Sequence, residues 1–131
     1  MKKAAPSIDE WLKEAKAQPA AAQQGMFLVH NGVVRQTPKA QVRQGLNDGS
    51  LVKDLEFGYD AAKVDAVIAE TYKMAGIFHV RVWLNEGLLT VGDDIMYVLI
   101  GGDIRPHVVD ALQFLVGKIK SECVTEIEHK Q

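Results

Sequence analysis

Cysteine, long apolar runs and net charge are all scarce in this chain, and each scarcity removes a class of protein. One cysteine, Cys123, cannot close an internal disulfide and leaves no Cys pair for a metal site. It reads as a small buried residue just past a helix. The longest apolar run, residues 95–100, is far too short to cross a membrane. Lys2 and Lys3 have the charge of a secretory leader, but Asp9, Glu10 and Lys13 arrive where its apolar segment should be. A cytoplasmic location is therefore expected by default. A net charge of -2 is too small to attract nucleic acid or a membrane by bulk electrostatics, so an anionic ligand must meet a local cluster of Lys and Arg. His30, His79, His107 and His129 have neither an i, i+4 histidine nor a Cys pair, so no metal is expected. They read as satisfied or solvated histidines. There is no G-x-S-x-G nucleophile elbow.

What is present is enough for one domain of 131 residues, 47% of them hydrophobic. Ser7-Ile8-Asp9-Glu10 fits a capping box, and Ile8, Trp11, Leu12 and Ala15 follow at helical spacing, predicting a helix over 8–17. Residues 17–24 read as a connector. Residues 25–34 form a strand of near-continuous apolar character, expected to be covered on both faces, with Gly32 at a bulge or close approach. Residues 36–50 carry Pro38, Gly45 and the turn signal Asn47-Asp48-Gly49-Ser50, and almost no apolar anchors beyond Val42 and Leu46. A mobile loop is expected there. Leu55, Phe57 and Tyr59 alternate with polar residues as in a strand.

Asp60 can cap a helix over 60–75, with Gly76 at its C-terminal end. Two further strands follow, over 78–84 and 95–100. Gly101-Gly102-Asp103 then opens a last helix over 105–121, where Pro106 is tolerated in the first turn. A phosphate reading of Gly101-Gly102 is countered by Asp103, whose carboxylate would occupy the helix N–H groups itself. The tail 124–130 is at most an edge strand. From Leu55 onward the order predicts an α+β fold. Its core is a split βαβ, ferredoxin-like sheet with helices on one face, plus an extra N-terminal helix and strand.

Three cations stand apart. Arg35 ends the first strand, and Lys39 and Arg43 follow at four-residue spacing, so one turn-like segment can present all three on one side. Lys118 and Lys120 sit in the last turns of the final helix, where the macrodipole favours positive charge whatever the function. Spacing alone points to an anion site near Arg35.

Four stretches resemble the large subunit of molybdopterin synthase: Asn31-Gly32-Val33-Val34-Arg35, Leu55-Glu56 with Tyr59, Gly87 to Asp94 leading into Met96-Tyr97-Val98, and the helix carrying Arg105, Ala111, Gln113-Phe114 and Lys120. The resemblance runs in pieces from about Gly25 to Lys120. It implies a homodimer without a cofactor. That dimer would bind a small ubiquitin-like sulfur-carrier subunit ending in Gly-Gly thiocarboxylate and pass its sulfur to a cyclic pyranopterin phosphate. By that resemblance Lys120 is catalytic and Arg35 and Arg105 bind substrate; Lys39 and Arg43 join them as substrate-binding candidates on their spacing alone. The chain departs from the family at Ile104, where a histidine precedes the arginine, and near Ile127, where a lysine stands. Glu126 and Glu128 flank that position, and Lys130 is displaced from it by three residues. Two other readings stay open: a non-catalytic homologue that keeps the dimer and the tail-binding groove, and a generic anion-binding dimer.

Overall fold

The computed structural model describes residues 1–45 and 49–131. The α+β class is as expected, and the strands sort into two antiparallel three-stranded sheets. The elements are α1 (Ile8–Lys16), a 3-10 turn (Pro19–Gln23), β1 (Met26–Val33), α2 (Lys39–Gln44), β2 (Val52–Tyr59) and α3 (Ala61–Tyr72). There follow β3 (Ile77–Leu84), β4 (Gly87–Thr90), β5 (Asp94–Gly102), α4 (Arg105–Lys118), a π turn (Ile119–Cys123) and β6 (Val124–Lys130).

The first sheet has the order β1-β5-β3 and the second β4-β2-β6. In an undivided ferredoxin-like sheet β2 and β5 would be neighbours. Here both facing edges are already taken. β1 pairs with β5 from Met26↔Gly102 to Val33↔Asp94, and β4 pairs with β2 from Asp54↔Thr90 to Phe57↔Gly87. A strand edge is a row of unmet N–H and C=O groups, and whichever strand pairs there excludes the next. The sheet is therefore split along its middle. β4 went unread in the sequence because its four residues are too few to show a period.

Local signals set most element ends. Ser7 Oγ accepts from Glu10 N at 3.2 Å and starts α1, and Asp60 accepts from Ala62 N and Lys63 N at 3.0 and 3.2 Å and starts α3. α3 stops at Tyr72, earlier than the sequence suggested. Gly76, at φ 76°, serves the turn into β3 instead, where an added Cβ would collide with the Asp103 carboxylate. The expected loop over 36–50 contains α2, preset by Pro38 at φ -61° and held by Glu128, which accepts from Lys39 N at 3.0 Å. Leu46, Asn47 and Asp48 lie outside the described residues.

β5 is the strand closed on both faces. α1 lays Trp11 and Ala15 on Leu99, and the opposite face meets α4 through Val98, Ile100, Val108, Ala111 and Leu115. β1 differs from its expected role: it is an edge strand, and Val29 and Val33 on one of its faces are exposed. Its apolar run reflects inward packing of Met26 and Leu28 on one face and Phe27 on the other. No helix among the described residues is long and apolar enough to cross a membrane.

Candidate functional site

Where the two sheets part, a cleft of about 400 Å³ opens. Its floor is apolar: Val33 and Val34 at the end of β1, Ile95 at the start of β5, and Val52 and Leu55 of β2. Its walls are charged. Arg35, Lys39, Arg43, Lys120 and Lys130 face it, against the two carboxylates Glu126 and Glu128. A chain of net charge -2 thus concentrates five cations around one cavity. An apolar floor strengthens every charge interaction above it by excluding water.

Each wall has its own positioning. The stretch after β1 is fixed by Val34 N donating to Asp93 O at 2.9 Å and Gly92 N donating to Val34 O at 2.9 Å. Arg35 follows it, exposed, its Nε donating to Thr37 O at 3.1 Å. Lys39 and Arg43 are brought by α2. Lys120 is brought by the π turn, in which the helix widens for one turn before the chain leaves for β6; such turns recur at functional sites. Ile119 and Cys123 of that turn are buried beneath it. Burial, and then the charge of Glu122, push the Cys123 thiol above its ordinary value, which disfavours the thiolate, and the side chain packs in the core.

The centre of the cleft is a bridged carboxylate. Glu126 Oε1 accepts from Lys120 Nζ at 2.6 Å and Oε2 from Lys39 Nζ at 3.2 Å. Burial acts to raise the Glu126 carboxyl, but the Lys120 hydrogen bond and charge, followed by Lys39, outweigh it and hold the group below its ordinary value. His30, on β1, is lowered by burial and then by the charge of Lys120.

Four of the five sequence-derived residues, Arg35, Lys39, Arg43 and Lys120, thus meet in one cavity. Arg105 does not. It lies at the other end of α4, fifteen residues before Lys120 and so about 22 Å along the helix axis. At that end Asp103 Oδ1 accepts from Ile104 N at 2.6 Å and meets His107 Nδ1 at 2.8 Å, but Ile104 is the N-cap and no side chain caps the helix N–H groups, so Asp103 does not occupy them as the sequence suggested. His79 departs from the reading of satisfied histidines: its Nε2 is buried without a hydrogen-bond partner. The β6 residues Glu126, Glu128 and Lys130 were visible in the sequence only as departures from a motif. Their period-two spacing on a strand was the signal that they share a face. Among the described residues, no group of three His, Cys, Asp or Glu side chains could hold a metal.

The two-sheet α+β scaffold that frames this cation-rich cleft is shared with proteins of molybdopterin biosynthesis. The family model described as MoaE protein matches residues 2–122, and the chain belongs to that family. The fold is shared with the molybdopterin synthase of Staphylococcus aureus, at 19% identity and a TM-score of 0.73 over 96% of this chain and 87% of that one. It is shared with the molybdopterin biosynthesis MoaE protein of Burkholderia ambifaria, at 15% identity and a TM-score of 0.72 over 98% and 85%. A complex of subunits 1 and 2 of the molybdopterin-converting factor of Helicobacter pylori contains a similar chain, at 16% identity and a TM-score of 0.66 over 95% and 79%. Comparison with curated proteins finds no match.

Proposed function

We propose that this chain acts in molybdenum cofactor biosynthesis as the large subunit of a molybdopterin synthase, moving sulfur from a small partner's C-terminal thiocarboxylate to a pyranopterin phosphate. The observation that carries this reading is the convergence of Arg35, Lys39, Arg43 and Lys120, distant in sequence, on one cleft in a chain of this family. The reaction handles a phosphate and a carboxylate-like tail, and it develops negative charge at the acyl carbon. Cations over a dry floor serve all three. Lys120, the cation held most closely by its surroundings, is assigned to the reacting group, and Arg35 to the ligand's anion.

The partner is a small Gly-Gly-terminated subunit; in support, the similar Helicobacter pylori chain comes from a complex of subunits 1 and 2 of the molybdopterin-converting factor. A homodimer accounts for Arg105. Stranded about 22 Å from Lys120 in its own chain, it can complete the cleft of a second copy. Ile104 beside it and Ile127 at the cleft bring no charge of their own.

The test is single-turnover conversion of the pyranopterin precursor by the full chain with a thiocarboxylated small subunit. The expected result is dithiolene product, absent when the partner lacks its terminal Gly-Gly. Binding of the partner without turnover would favour the non-catalytic reading, and failure to bind would leave only the fold.

A further inference from the structure

Two of the cleft's cations, Lys39 and Arg43, ride on α2, and α2 has little of its own to hold it there. It is six residues long and buries none of its side chains; Val42, its largest apolar residue, is 55% exposed. A helix that short is marginal in water without outside support. Its stem is fixed as far as Thr37, since Val52 N donates to Gln36 O at 2.8 Å and Arg35 Nε to Thr37 O at 3.1 Å. Pro38, buried, then turns the chain into the helix. The helix itself is caught by Glu128 of β6, whose two oxygens accept from Lys39 N at 3.0 and 3.3 Å. Lys39 is the first residue of α2, so its N–H has no acceptor within the helix, and Glu128 supplies one. Arg43 stands one turn on from Lys39, so whatever orients the one orients the other.

From this geometry we propose that Glu128 is a positioning residue of the cleft. Through the Lys39 main chain it pins α2 to β6, and so holds Lys39 and Arg43 where the ligand arrives. The proposal rests on the substrate-binding role given to those cations above. As a bare charge, Glu128 would only oppose an anionic ligand, because it stands among the cations that attract one. As a positioning group it helps that ligand to bind. The two roles predict opposite signs when the carboxylate is removed.

The experiment compares Glu128→Ala with Glu128→Gln in the full chain. Glutamine loses the charge but keeps an oxygen that can accept from Lys39 N, whereas alanine loses both. Hydrogen exchange is read at the amides of residues 39–44, and KM for the pyranopterin precursor is read with the thiocarboxylated partner, with circular dichroism melts alongside. Glu128→Ala is expected to speed exchange there at least about tenfold and to raise KM by a similar factor, with a much smaller effect on kcat. Glu128→Gln is expected to leave exchange near that of wild type and KM no higher. A folded Glu128→Ala with unchanged exchange, or with KM unchanged or lowered, would overturn the proposal. Should that variant not fold, the same contact is cut from its other side. Lys39→Pro removes the donor while suiting the first helical position, and Lys39→Ala keeps the donor. Exchange over residues 40–44 should be at least about tenfold faster in Lys39→Pro, and equal exchange in the two would overturn the proposal. Wild type that never turns over would sink the functional reading, while the exchange comparison would still decide whether Glu128 pins α2.

Discussion

The two ends of α4 put the same ingredients to opposite uses. At its start, Asp103 takes the Ile104 N–H and His107, and glycines press in around it. A Cβ on Gly25 would strike Asp103 O, one on Gly76 its carboxylate, and one on Gly102 would lie 2.6 Å from Gly76 O. Charge there is consumed locally and the backbone is packed shut. At its end the helix opens into a π turn, and its charge, Lys120, is held over a cavity by a residue from another element. A carboxylate beside a helix end is a plug where the backbone supplies its partners, and a counter-ion where side chains do. The first kind protects the fold. The second leaves a site.

Substitutions at the two ends should therefore separate activity from stability. The largest effect is expected at the open end. Lys120→Ala should lower turnover by roughly 10²–10³-fold, as loss of one electrostatic donor in a desolvated site does. Its cost in stability should stay at about 1 kcal/mol, because the half-buried Glu126 keeps Lys39 as a partner when Lys120 is lost. Arg35→Ala should weaken substrate binding by about tenfold or more with the same silence in the melt. Single-turnover kinetics beside thermal melts read both. An unfolded Lys120→Ala, or one that still turns over, would erase the contrast between the ends.

Gly76→Ala probes the closed end. It adds a side chain at a left-handed φ, against the Asp103 carboxylate, and should cost about 2–4 kcal/mol by urea unfolding. Phosphate affinity of the folded fraction should be untouched. A stable Gly76→Ala would show that the glycines are not the closure they are taken to be.

The smallest effect concerns pH. Burial, with Lys120 beside His30 and Arg81 beside His79, lowers both imidazoles below their ordinary 6.5. The folded state prefers them neutral, so the stability they contribute is full above that value. It falls as pH drops through their depressed values, where the unfolded chain already binds more protons. Glu126, depressed from 4.5, contributes in the same direction further down, with stability present above 4.5 and lost below its lowered value. Melting temperature should thus decline on the acid side of neutrality. A His79→Gln variant, which cannot charge there, should show a shallower decline. A flat profile in wild type would remove this account of both histidines.

The closed end was legible in the sequence because caps and glycines act over a few residues. Ser7 and Asp60 each cap the helix their positions suggested, while Asp103 takes only the Ile104 N–H and His107. The open end was legible only through spacing at Arg35, Lys39 and Arg43 and through the resemblance at Lys120. Arg105 shows the limit: a residue in register with a motif can still lie a helix length from its companions. Glu126 escaped because its role is tertiary, made by partners 87 and 6 residues away. The parting of the sheets was equally hidden. Which strand takes an edge depends on competition between segments far apart in the chain, and no period in any one of them records it.

That parting has a mechanical consequence. Arg35 hangs from the plate that ends in β1, and Lys130, Glu126 and Glu128 from the plate that holds β6. The plates lack the backbone rungs that β2 and β5 would have shared. On the proposed function, an anion gripped from both sides would act as a removable rung, added to the backbone bond from Val52 N to Gln36 O that ties the segment after β1 to β2 beside the cleft.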